Sequence, residues 1–257
     1  MIQDDILDRI RRGRTDLVFD LLALADWQAL LRGEDSPLPW FVYYGDVTAM
    51  KAVLRAGGTL SSLSLDEQLG HASFFGHWRM VDFLLAHGAS TRWASPATGE
   101  TALHSALCKA GRPAFLYVVR LLLEQGADPN ARTIAGRATG AFMRDVRTKG
   151  ETPLHRAAAY ADVETIRALL DHGADREARD AHGDTALSWA SEHLRPGAVL
   201  SLLQFGPHLI GPAHVERLTS DHGAGWGNGM ERSLLGDYLP ESAANGSPYR
   251  STNSSRR

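Results

Sequence analysis

Between Val163 and Leu170 the apolar side chains fall at Val163, Ile166, Leu169 and Leu170, spacings that gather them on one face of a helix. Glu164, Arg167 and Asp171 take the opposite face, and Gly173 supplies the stop, because glycine adopts the left-handed conformation that ends a helix. Just upstream, "TPLHRAAAY" predicts a second helix, with Thr152 as its cap and Pro153 in the first turn, where a missing N–H does no harm. Ala157 and Ala158 are small enough to let a neighbouring helix come close. The predicted unit is a pair of antiparallel helices with a tight joint.

The same pattern recurs along the chain. "TALSWASEHLRPGAVLSLLQFG" begins at Thr185, 33 residues after Thr152, and places Leu202 and Leu203 at the paired-leucine positions. "EQLGHASFFGHWRMVDFLLAHGAS" from Glu67 keeps Gly76, Val81, Leu84, Leu85 and Gly88 in register. "SPLPWFVYYGDVTAMKAVLRAGG" from Ser36 keeps Gly45 and Gly57, and "TALHSALCKAGRPAFLYVVRLLLEQGADPN" from Thr101 carries four extra residues between its helices. At the N-terminus, "RGRTDLVFDLL" supplies Gly13, Leu21 and Leu22. Six copies result, starting near residues 4, 36, 67, 101, 152 and 185.

These residues resemble the ankyrin repeat, whose 33-residue unit is a β-turn and two antiparallel helices opening on T-P-L-H-x-A. The resemblance implies an all-α solenoid of about six helix-turn-helix repeats over residues 1–206, with one long inserted turn at about 132–149 and an irregular C-terminal cap. No single unit buries its apolar face, so stacking supplies the core. The resemblance also implies that the ends of the first helices face a concave groove, and that His104 and His155 hold the turns with their imidazoles.

Departures from the period are where a particular function is expected. From Thr101 to Thr152 the spacing is 51 residues, and the inserted stretch carries Arg132, Arg137, Arg144, Arg147 and Lys149 against Asp145 and Glu151. With Gly136, Gly140 and Gly150 it is no long helix; a β-hairpin extension or an ordered loop is expected. It is either a solvated loop tolerated at a junction or a ligand-contacting finger, with Phe142 and Met143 as apolar contacts and the arginines as anion donors. The groove columns hold Tyr43 and Tyr44, Phe74 and Phe75, Cys108 and Lys109, Ala159 and Tyr160, Glu192 and His193, joined by Trp40, His71, Arg156 and Trp189. Five aromatics in ten places, against 8% in the whole chain, form either helix-packing fillers or an aromatic floor of the kind enriched at binding hot spots. Residues 207–240 read as a short helix and a glycine-rich segment, in which Trp226, Leu234 and Leu235 fold back as a cap or the glycines let backbone approach a ligand. Residues 241–257 are polar and Ser/Asn-rich, and are expected to be disordered.

Composition narrows the chemistry. The net charge of −3 over 257 residues offers no overall basic field for nucleic acid. A single cysteine, Cys108, excludes an internal disulfide and a cysteine-based zinc site, and fits a reducing compartment. No N-terminal signal pattern and no run of about 18 apolar residues appears, so a cytoplasmic location and no membrane are expected. Of the eleven histidines, His87 and His172 precede helix-ending glycines, where a cation suits the helix terminus; His71, His77, His193 and His222 show no zinc spacing. Ser220, Asp221 and His222 are adjacent in sequence and cannot relay a proton among themselves as a triad. Cys108, in a groove column beside Lys109, is either a small buried residue or a thiol nucleophile.

The resulting expectation is a non-enzymatic module that takes a protein or peptide partner, with no cofactor, no metal and no nucleic acid. Its expected contacts are Trp40, Tyr43, Tyr44, His71, Phe74, Phe75, Lys109, Phe142, Arg144, Arg147, Arg156 and Tyr160. The alternative is a small-molecule-binding protein or enzyme whose groove, closed by the inserted loop and the cap, holds an anionic or sugar-like substrate. In it His71, Lys109, Arg144 and Arg156 would converge.

Overall fold

The structure is a computed structural model that describes residues 2–108, 115–139 and 149–206. Lys109, Phe142, Arg144 and Arg147, most of the insertion, the expected cap at 207–240 and the expected disordered tail at 241–257 lie outside the described residues. Helices come in pairs. They are α1 (Ile2–Arg11) with α2 (Val18–Leu22), joined by a 3-10 turn, then α3 (Trp27–Arg32), α4 (Leu38–Tyr43) with α5 (Val47–Arg55), and α6 (Leu65–Phe75) with α7 (Trp78–Ala86). There follow α8 (Ala102–Ala106) with α9 (Phe115–Glu124), α10 (Pro153–Tyr160) with α11 (Val163–Asp171), and α12 (Ala186–Glu192) with α13 (Gly197–Phe205). Among the described residues β structure is limited to two isolated bridges, Ala94 with Thr101 and Arg179 with Thr185. No helix there is long and apolar enough to cross a membrane.

The α3 helix was not legible as a periodic element, being one short turn and a half between the first two repeats. It is held by Leu31, which is buried and whose carbonyl accepts from Ser36 Oγ at 2.9 Å and Ser62 Oγ at 2.7 Å.

The repeat start works through its threonine and histidine. In α8 and α10 the Thr101 and Thr152 backbone N–H groups donate to His104 and His155 Nδ1, each at 3.3 Å. With Nδ1 accepting, the opposite nitrogen donates to the following turn: His104 Nε2 to the Glu151 carbonyl at 3.3 Å, and His155 Nε2 to the Asp184 carbonyl at 3.0 Å. One side chain therefore caps its own helix and ties it to the next repeat. Second helices begin on Asp46 and Asp162, whose carboxylates accept from Ala49 N at 2.9 Å and Thr165 N at 2.7 Å. They end where His87 and His172 donate from Nδ1 to the carbonyls of Phe83 and Ala168, at 2.7 and 2.8 Å.

Stacking then builds one continuous core. Val81, Leu84, Val118, Val119, Leu122, Ile166 and Leu169 are all fully buried between successive second helices, and each such side chain stabilises the stack by about 1.5–3 kcal/mol. The turns add polar stitches from repeat to repeat. Thr91 Oγ1 donates to the Gln125 carbonyl at 3.0 Å, and Arg176 Nη1 to the Gln204 carbonyl at 2.7 Å. Asn130 does both jobs, donating to the Gly173 carbonyl and accepting from Asp175 N, each at 2.8 Å.

Candidate binding surface

The ends of α4 and α6 carry a run of rings. Tyr43 and Tyr44 are 45% and 38% exposed, and Trp40, Phe74 and Phe75 are half-buried. Centroid separations are 5.8 Å for Trp40–Tyr43, 4.8 Å for Tyr43–Phe75 and 5.1 Å for Phe74–Phe75, all edge-to-face. This geometry sets the positive ring edge on the negative face and holds each ring in place. The Tyr44 hydroxyl donates to the Arg11 carbonyl at 2.8 Å, so this ring also ties the second repeat to the first. His77 reaches back to the Tyr43 carbonyl at 3.0 Å and stacks on Phe75 at 5.8 Å. His71 is exposed one turn earlier on α6, its Nδ1 3.4 Å from Gln68 Oε1. These six expected contacts lie on two adjacent repeats.

The fifth repeat is different, and two expected contacts there are corrected. All eight residues of α10 are buried. Arg156 is fully buried and donates from Nε and Nη2 to Glu151 Oε1 at 2.8 and 2.6 Å, while Nη1 reaches Glu100 Oε1 at 3.0 Å, the His104 carbonyl at 3.0 Å and Cys108 Sγ at 3.1 Å. Two carboxylates neutralise it, so it is a packing cation and offers no donor to a groove ligand. Tyr160, 6% exposed, gives its hydroxyl to His193 Nε2 at 2.7 Å. Its ring joins repeats five and six instead of standing free. Trp189 is likewise buried, donating to Asp180 Oδ2 at 3.0 Å, with Lys149 Nζ 4.9 Å from its ring centroid.

Burial also settles the electrostatics. It holds the His104 imidazole well below the usual histidine range, with the Arg156 cation adding to the effect, and burial lowers His155 as well. Cys108, 4% exposed, has its thiol pushed up by burial, so the thiolate needed of a nucleophile is disfavoured. For Asp180, burial works against ionisation but is outweighed by donors from Asp184, Trp189 and His182, and its carboxyl lies below the ordinary value.

The Arg156 network was missed in the sequence, although a signal was present. Glu100 and Glu151 each directly precede a repeat-start threonine, and Arg156 stands where the neighbouring repeats have Ser105 and Trp189. An acid before each of two successive repeat starts, with a lone arginine five residues after the second acid, is the pattern of a cross-repeat ion pair.

The sequence profile of a family described as ankyrin repeats (3 copies) matches residues 38–133 and 137–209. The chain is 32% identical over 183 residues to Neurogenic locus notch homolog protein 2 of Homo sapiens, covering 63% of this chain and 7% of that protein. It is 33% identical over 124 residues to Rabankyrin-5 of Homo sapiens, covering 47% of this chain and 10% of that protein. It is 36% identical over 110 residues to Ankyrin repeat and SOCS box protein 6 of Homo sapiens, covering 42% and 22%. The chain thus spans less than a quarter of the length of each of these relatives.

Proposed function

The chain belongs to the ankyrin-repeat family, whose arrays are generally protein-interaction modules, and we propose that this one is a non-enzymatic module holding a protein or peptide against the ring wall of its second and third repeats. The observation that carries the reading is the exposure of Tyr43 and Tyr44 in an edge-to-face run with Phe75, because large rings held rigid in water lose little conformational freedom when a partner covers them. Trp40, Phe74 and His71 complete the wall in this proposal, and Lys109, Phe142, Arg144 and Arg147, outside the described residues, stay among the proposed contacts. The cytoplasm is the proposed location, supported by the single, buried cysteine.

The substrate-pocket alternative draws no support from Arg156, whose charge is matched by Glu100 and Glu151. For the module, peptides selected on the full chain from a displayed library provide the probe. Replacing Tyr43 and Phe75 together by alanine is expected to weaken the selected peptides by tenfold or more, about 1.4 kcal/mol, with a change of only a few degrees in thermal midpoint. Unchanged peptide affinity in that variant would remove the wall from the proposal.

A further inference from the structure

The fourth and fifth repeats meet differently from their neighbours. The α8 helix packs along α6, and α10 packs along α12, but α8 and α10 touch at only a few positions. On the other side of the array the second helices α9 and α11 pack as closely as α7 and α9 do. The junction is therefore closely packed between the second helices and more widely spaced, though buried, between the first. Arg156 spans the wider side, reaching from α10 to Glu100, to the His104 carbonyl of α8, and to Cys108. On its own side it is anchored by Glu151, whose second carboxylate oxygen accepts from Thr133 Oγ1 at 2.8 Å.

We infer that this junction is a polar seam, along which repeats one to four and repeats five and six swing apart about the α9–α11 contact before either block unfolds. The energetic reason lies in what each junction gains from being closed. Apolar junctions gain the transfer of their side chains out of water. A buried ion pair gains its Coulomb attraction but loses the hydration of both charges, and the two nearly cancel. In a stacked array whose stability is the sum of units and nearest-neighbour contacts, the junction with the smallest net gain opens first. Opening also rehydrates Arg156 and Glu100, which lowers the barrier to separation. The seam sets the distance between the ring wall of repeats two and three and the turns of repeats five and six, so the opening adjusts the span available to a long partner.

The chain carries its own reporter, because its one cysteine, Cys108, is buried on the seam within 3.1 Å of Arg156 Nη1. Labelling of Cys108 in the full chain by a chromogenic disulfide reagent, across low denaturant concentrations, measures the opening. Global unfolding is followed in parallel by circular dichroism. Cys108 is expected to react with a denaturant dependence clearly shallower than that of global unfolding. Glu100→Gln, which removes one charge from the seam, is expected to speed labelling by about tenfold, the loss of one charge-assisted bond. Leu203→Ala, in the sixth repeat, should leave the rate unchanged in that window. Labelling that tracks global unfolding in both the native chain and Glu100→Gln overturns the seam.

Discussion

The hydroxyl of Tyr160 and Nε2 of His193 lie 2.7 Å apart, with the rings edge-to-face at 5.0 Å. Nδ1 of the same imidazole is 2.9 Å from the Trp189 carbonyl. A carbonyl only accepts, so Nδ1 carries the proton and Nε2 takes the hydrogen bond from the phenol. The pair clamps the end of α10 to the end of α12, at the place where the second and third repeats leave their rings open. Removing the hydroxyl in Tyr160→Phe should therefore lower unfolding stability by about 1 kcal/mol. Chemical denaturation of the two chains checks this, and Tyr43→Phe, on an exposed ring, serves as a comparison expected to change little.

Leu194 occupies a position where glycine would be more stable. Its φ is +49°, and among the described residues it is the one non-glycine with a positive value. The same register position holds Gly45 and Gly76, at φ values of 69° and 75°. A leucine in the left-handed region carries a penalty of about 1–2 kcal/mol, from which the greater chain entropy of unfolded glycine subtracts roughly 0.5–1. Leu194 is 90% exposed, so little packing is lost with it. Leu194→Gly is expected to raise the denaturation midpoint, by up to about 1 kcal/mol in stability. A midpoint that falls would show that the leucine makes a stabilising contact outweighing its backbone strain.

His104 and His155 make stability depend on pH in a defined direction. Both rings have lowered values in the folded chain, chiefly through burial, while the unfolded chain protonates near the ordinary value of about 6.5. Below that value the unfolded state binds more protons, so their contribution is fully present above about pH 6.5 and is lost as pH falls towards the folded values. The slope is up to about 1.4 kcal/mol per pH unit for each ring. Urea denaturation at pH 7 and pH 5 checks the drop, which should flatten in a double variant carrying His104→Gln and His155→Gln. Asp180, also lowered on folding, loses its contribution only as pH falls below about 4, outside this window.

How much of this was legible from residue order varies with the range of the interaction. The capping of Thr101 and Thr152 by the histidine three residues on, the glycine at the end of α6 and the apolar stripe of α11 involve residues within one or two turns of each other. Helical spacing records such neighbours directly. The groove columns were legible as positions but not as surfaces. Tyr43 and Tyr160 occupy adjacent columns and look alike in sequence, yet one is 45% exposed and the other 6%.

The repeat, its period and the stacked helical architecture were determined by the amino-acid order alone, because each unit states its own caps, stripes and stops and needs only a copy of itself as neighbour. Which side chains of the repeat columns remain exposed was decided by the tertiary structure. Arg156 is closed off by Glu100, 56 residues away, and Tyr160 by His193, 33 residues away. A charge or a ring placed at a repeat junction takes its role from whichever partners the stack brings within reach.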